Sequence, residues 1–331
     1  MKQNIDEGTW LDNSITIKTF LDKRSNYEQL CQEVAYILEN VIEIGDIEYS
    51  SISFRAKSLK SFLEKIVRKT YHDPFVEITD FAGVRLVFLY NSDFSKIEKI
   101  INETFKVIEK VDKLNDKGVD KFGYGAIHYI IELNKNHSGA RYDNLKSLRC
   151  EIQVRTVLQD AWSIIDHHLV YKNESEVPKT IRRKLNSLAG LFETADDQFN
   201  QIRNDREIYI GTVHASKNKP NEFLETDLDI DSLTEYLLWK MPELPTQTFD
   251  QQIEICFSII KEDRNFKKLK DIDQTFEKNL TRFEKIKPAM SKIYNSKSSS
   301  AYLIACLAIS NEIILNHQAL SDDWRKLIKK A

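Results

Sequence analysis

The sequence is short of several features that would fix a function class at once. Its four cysteines, Cys31, Cys150, Cys256 and Cys306, stand far apart in apolar surroundings, so neither a zinc knuckle nor a disulfide framework has the spacing it needs. They read as reduced core residues. A bias of charge is missing too: 48 Lys and Arg against 51 Asp and Glu leave a net charge of -3, which gives no global electrostatic case for a nucleic-acid coat protein or a polybasic membrane anchor. Any anionic partner must be held locally. There is no long apolar run. The best stretch, Ala301 to Leu315, is too short to span a bilayer and is interrupted by Asn311 and Glu312, so a buried core helix is expected and no membrane partner. The opening MKQNIDEGTWLDNS lacks the basic start and apolar stretch of a signal peptide, which points to a cytoplasmic protein.

The chain has 331 residues, enough for one sizeable core or two modest ones. Tyr27, Leu30, Cys31, Val34, Leu38, Val41 and Ile42 recur at helical spacing and predict an N-terminal helix over 27–42. The pattern then changes to short strands at 51–54, 84–90, 106–111, 127–133 and 149–154, with helices at 59–69 and 93–105, the second capped by Ser92 or Asp93. Strands interleaved with helices argue for a mixed sheet covered by helices. From Leu158 onward the reading is helical, and Ile181, Leu185, Leu188, Phe192, Ala195, Phe199 and Ile202 form one apolar stripe. Breaks are expected at 214–221 and 287–300, with helices at 249–261, 269–286 and 301–320.

Four segments could carry chemistry. Arg55, Lys57, Ser61 and Lys65 lie on an extended segment and the helix after it, where Ser61 and Lys65 share a face; such a cluster can grip a polyphosphate, although a basic helix is usually a solvated surface. Asp80 precedes Gly83 and Arg85 at the entry to a strand, a place suited to Mg²⁺ or to a plain turn. In Glu151-Ile152-Gln153-Val154-Arg155 the alternation of a strand puts Glu151, Gln153 and Arg155 on one face and Ile152 and Val154 on the other, so the polar face is either solvated or lines a site. Gly123-Tyr124-Gly125 presents an aromatic ring that could stack on a base or pack locally, ahead of His128.

In this order the segments resemble the synthetase domain of the RelA/SpoT alarmone enzymes. The motifs that carry the resemblance are Arg55-x-Lys57-x-x-x-Ser61-x-x-x-Lys65, Asp80-x-x-Gly83-x-Arg85, Gly123-Tyr124-x-x-x-His128, Glu151-Ile152-Gln153-x-Arg155-Thr156, and Trp162-x-x-x-x-His167-x-x-x-Tyr171-Lys172. The resemblance spans 51–172 and implies an α+β fold, a nucleotidyltransferase-like mixed sheet flanked by helices and followed by an all-α C-terminal region. It divides the chain into an N-terminal helical segment (1–50), a synthetase domain with its trailing helix (51–203) and a helical region of unknown role (204–331).

The activity implied is transfer of the β,γ-pyrophosphate of ATP to the 3′-hydroxyl of GDP or GTP, with AMP leaving and Mg²⁺ as cofactor. The same resemblance implies that Arg55 and Arg85 sandwich the adenine, that Lys57, Ser61 and Lys65 hold the ATP phosphates, and that Asp80 and Glu151 bind Mg²⁺, with Glu151 as general base. Tyr124 would stack on the acceptor base, and His128 and Gln153 would place the acceptor. Phe122 and Ala126 stand where related synthetases often carry Asn and Ser, and Asp166 stands in place of Glu, which leaves the acceptor open. An adenine nucleotide or the 3′ end of tRNA are the alternatives, the latter needing a basic surface for which 179–184 is the candidate; a non-catalytic regulatory module is a third reading. About fifty residues precede the motifs, and His72-Asp73 lacks further metal ligands, so no hydrolase activity is expected. The helical tail makes a homo-oligomer a further expectation.

Overall fold

In the computed structural model, which describes residues 13–112, 125–169, 178–244, 249–294 and 298–331, the run of β-branched and aromatic residues around Val84 forms an interior strand of a five-stranded sheet. The strands are β1 (Tyr49–Ala56), β2 (Ala82–Phe88), β3 (Phe105–Asp112), β4 (Ile127–Leu133) and β5 (Cys150–Thr156), in the order β1-β2-β5-β4-β3. Only β2 and β5 run parallel; the other pairs are antiparallel, which makes the sheet mixed.

One face of this sheet is dry. Ala82, Val84, Leu86 and Phe88 of β2, Cys150, Ile152 and Val154 of β5, and Ile127, Tyr129 and Ile131 of β4 are all buried in one apolar cluster. The cover comes from α1 (Ser14–Ile44), whose Phe20, Tyr27, Leu30, Val34, Leu38 and Ile42 recur at three, four or seven residues and lie on a single stripe. This helix starts thirteen residues before the span read from periodicity. Helix α2 (Leu59–Arg68) buries Phe62 and Leu63, and the Phe62 ring stacks on Phe20 at 4.7 Å between centroids and touches Phe75 and Phe81. A one-turn helix α3 (Pro74–Glu77) carries Phe75 into that group, and α4 (Phe94–Thr104) adds Ile97 and Ile101 to the core. The expected cap of α4 is not made: a 3-10 turn (Asn91–Asp93) leads into it, and Asp93 is helical in backbone and makes no capping hydrogen bond.

Helices α5 (Val157–Leu169) and α6 (Lys179–Ser216) follow β5. The apolar stripe on α6 is only partly covered: Leu185 and Ala189 pack with Trp162, while Ile181, Leu188, Phe199 and Ile202 are exposed.

The chain divides into two compact units, Met1–Ile202 and Arg203–Ala331. Among its described residues the second is helical apart from one isolated bridge between Asp227 and Lys268, with α7 (Pro220–Leu224), α8 (Ile230–Lys240), α9 (Phe249–Lys261), α10 (Leu269–Tyr294), α11 (Ser299–Ala308), α12 (Glu312–Asn316) and α13 (Asp322–Ile328). Two boundaries differ from the reading of the sequence. The break expected at 287–300 is helical up to Tyr294 despite Pro288, because Phe283, Ile286 and Met290 keep one buried stripe across the proline. The single helix expected over 301–320 is instead broken after Ala308, where the Asn311 side chain accepts a hydrogen bond from the Ile314 amide and starts a new helix. Helix α11 is buried on all sides, and no helix among the described residues is long and apolar enough to cross a membrane. The four cysteines are buried free thiols.

Candidate active site

The sheet face opposite the dry one gathers the polar residues of the motifs, and strand register dictates which of them meet. Residues paired directly across neighbouring strands share a face. Arg55 of β1 pairs with Gly83 of β2, which pairs with Glu151 of β5; Arg85 pairs with Gln153, which pairs with His128 of β4. One row therefore reads Arg55, Gly83, Glu151 and the next Arg85, Gln153, His128. Gly83 sits within the strand, so the turn allowed for it at the sequence level is not its role. A β-carbon there would lie 3.7 Å from the Arg55 carbonyl oxygen and 4.0 Å from that of Glu151.

Asp80 stands just ahead of β2. The Lys57 amide donates to the Phe81 carbonyl at 2.8 Å, prolonging the β1–β2 pairing by one residue and bringing Lys57 beside Asp80. Lys65 arrives from α2, which the Ser58 hydroxyl caps by accepting from the Ser61 amide and which the burial of Phe62 holds in place. The Asp80 carboxylate consequently takes two ammonium groups, Lys57 Nζ on Oδ2 at 2.7 Å and Lys65 Nζ on Oδ1 at 2.9 Å. Burial pushes the Asp80 pKa up, and the two lysines outweigh it, holding the group below the ordinary carboxylate range. Ser61 is exposed and accepts from the Ser58 hydroxyl; Arg55 is exposed as well.

Glu151 is held by a different set. His128 Nδ1 lies 2.7 Å from Oε1, and Gln153 Nε2 donates to Oε2 at 2.8 Å. With an ionised carboxylate as its partner, Nδ1 carries the proton. Burial raises the Glu151 pKa most; the contacts with His128 and Gln153 more than undo this, while the charge of Asp80 opposes them, and the net shift is downward. The two acids thus feel one another's charge, and both are ionised at neutral pH.

The reading of the sequence missed Asp160 and the role of Arg155. The Thr156 hydroxyl accepts from the Gln159 amide while the Gln159 side chain accepts from the Thr156 amide, a reciprocal cap that starts α5 directly after β5. Asp160 then falls in the first turn, where it accepts from Arg85 at 3.0 Å and stands 3.5 Å from Arg155. The sequence signal for this was the Thr-x-x-Gln spacing at 156–159, which fixes where the helix begins. Tyr124, and with it Tyr171 and Lys172, lies outside the described residues.

The donor chemistry suits a hard cation: two ionised carboxylates near enough to feel one another's charge, with no soft sulfur ligand. Among the described residues no group of three or more His, Cys, Asp or Glu gathers as a metal cluster, so a cation held by Asp80 and Glu151 would complete its shell from substrate oxygens and water.

Residues 54–176 match the family model described as the region found in RelA / SpoT proteins. The likeness to that family lies in this region. Among curated relatives, the chain is 27% identical over 157 residues to the GTP pyrophosphokinase YwaC of Bacillus subtilis, covering 46% of this chain and 72% of that one. It is 25% identical over 190 residues to the GTP pyrophosphokinase YjbM of the same organism, covering 54% and 86%. Among solved structures, the small alarmone synthetase 1 of Bacillus subtilis bound to its product pppGpp is 22% identical, with a TM-score of 0.48, over 57% of this chain and 98% of that one.

Proposed function

We propose that the chain transfers the pyrophosphate of ATP to the 3′-hydroxyl of GDP or GTP, making (p)ppGpp and releasing AMP. The observation that carries this reading is the pair of ionised acids that feel one another's charge, Asp80 between Lys57 and Lys65, and Glu151 between His128 and Gln153. The relatives named GTP pyrophosphokinase support the same class of reaction.

Pyrophosphoryl transfer asks for positioning and charge neutralisation more than for covalent chemistry. In this reading Lys57, Ser61 and Lys65 bind the ATP phosphates, and Arg55 and Arg85 flank the adenine. Asp80 and Glu151 hold Mg²⁺, which when bound neutralises phosphate charge during transfer. Glu151 also accepts the proton of the attacking hydroxyl, for which its ionised state is the required one. Tyr124 stacks on the acceptor base, and His128 and Gln153 hold Glu151 in place beside the acceptor. Residues 51–203 are proposed as the catalytic domain and 204–331 as a non-catalytic helical region.

Incubation of the purified protein with ATP labelled in its terminal phosphates, Mg²⁺ and each of GDP, GTP, ADP and deacylated tRNA tests the proposal. Labelled guanosine tetra- or pentaphosphate is the expected product. Label moving only to ADP or to tRNA would replace the acceptor, and no transfer to any acceptor would overturn the reading.

A further inference from the structure

Arg155 belongs to the polar face of β5, yet it is buried, with 8% of its surface exposed. Its guanidinium is divided between two elements. NH1 donates to the Ser163 hydroxyl on α5 and stands 3.5 Å from Asp160, while NH2 donates to Gln153 Oε1 at 3.0 Å. The same Gln153 amide donates through Nε2 to Glu151 Oε2 at 2.8 Å. A continuous chain of contacts therefore runs from α5 through Arg155 and Gln153 to Glu151, the last carboxylate oxygen in it being the one His128 does not take.

The polarity of the chain allows one arrangement. Were the Gln153 amide turned over, its NH₂ would face a guanidinium N–H and its oxygen would face a carboxylate oxygen, donor against donor and acceptor against acceptor. With Arg155 in place the amide oxygen is bound by a cation, which pins the side chain and polarises its N–H toward Glu151.

We infer that Arg155 is a positioning residue for the proposed transfer, acting on Glu151 through the Gln153 amide, with Asp160 and Ser163 as its anchor on α5. This rests on Glu151 being the acid that works on the acceptor. Asp160 also holds Arg85, so the anchor of the chain is shared with a residue proposed to hold adenine, but the loss of Arg155 leaves that ion pair in place.

A double-mutant cycle between Arg155→Met and Gln153→Leu decides it, because residues acting through one another are not additive. Each single change is expected to lower kcat about tenfold, the size of one hydrogen bond to a charged group, with KM for ATP altered by less than about twofold. The double variant is expected to lose no more than either single one. A product of the two losses, or an unchanged kcat in Arg155→Met, overturns the inference. A second readout needs no turnover: the side-chain amide signal of Gln153 in a ¹H–¹⁵N NMR spectrum, assigned by its absence in Gln153→Leu. It is expected downfield and slow to exchange in the unmutated protein, and to move toward the position of a free amide in Arg155→Met; persistence of the signal overturns the inference. If the unmutated protein transfers to no acceptor, the functional reading fails while the amide signal still answers for Arg155. Should Arg155→Met fail to fold, Arg155→Lys, which keeps a cation beside Asp160, takes its place in the cycle with the same non-additivity expected.

Discussion

Lys57 and Lys65 reach Asp80 from two different elements, at 2.7 and 2.9 Å, so one carboxylate occupies both of the ammonium groups proposed to hold phosphate. On the proposed function, Lys57 and Lys65 would pass to the phosphates, and Asp80, left with its charge, would be free to hold the cation.

Asp80→Asn separates these two events. It should lower transfer by at least about 100-fold, in the range found when one group stabilising transition-state charge is removed. At the same time it should tighten binding of ATP in the absence of Mg²⁺ by about fivefold or more, since a negative charge facing the phosphates is gone. Calorimetric titration with ATP in the presence of a chelator checks this, and unchanged or weaker binding would mean that the lysines do not meet the phosphates.

Acid should remove stability in a defined direction. The folded pKa values of Asp80 and Glu151 both lie below their ordinary values, so the unfolded chain binds more protons than the native one. Their contribution is complete above the unfolded range, near pH 4, and is lost as pH falls through the lower folded values. Thermal midpoints of the unmutated protein should decline across that acid window, and those of Glu151→Gln should decline less. At neutral pH Glu151→Gln should keep its fold and ATP affinity while losing about 100-fold or more in kcat, as befits a base.

Tyr124→Ala tests acceptor stacking. A base on an aromatic ring is worth roughly 1 to 3 kcal/mol, so the acceptor KM should rise about tenfold while the ATP KM holds. Equal loss for both nucleotides would count against the role.

Tyr129 offers a test of stability alone. It is fully buried, its hydroxyl has no hydrogen-bond partner among the described residues, and burial pushes its pKa up. An unsatisfied buried group costs about 1 to 3 kcal/mol, so Tyr129→Phe should raise the melting temperature by roughly 3 °C.

What the sequence made legible follows the range of the interactions involved. The alternation in Glu151-Ile152-Gln153-Val154-Arg155 is a local, period-two pattern, and Ile152 and Val154 are indeed buried opposite the polar face. Helix α9 coincides with its expected span for the same reason, periodicity within one element. The Lys57–Asp80 contact joins residues 23 positions apart and depends on one backbone hydrogen bond beyond the end of a strand, which no spacing encodes. Helix α8 went unread because its start is written in the reciprocal cap of Asp229 and Ser232 and not in a long apolar repeat. The stripe on α6 shows the converse limit: periodicity identifies an apolar line, but Leu185 is buried and Ile202 exposed on the same line because packing partners, and not spacing, decide cover.

Gly83 contributes no side chain to the row that runs from Arg55 to Glu151. With strands about 4.8 Å apart, this leaves bare backbone two strand spacings wide between a guanidinium and a carboxylate. The floor at that point can take something flat and anionic against the cation without lifting it away from the acid. A side chain at 83 would meet its neighbours only at ordinary contact distance, so the fold would tolerate it while the passage between the two charges would be closed.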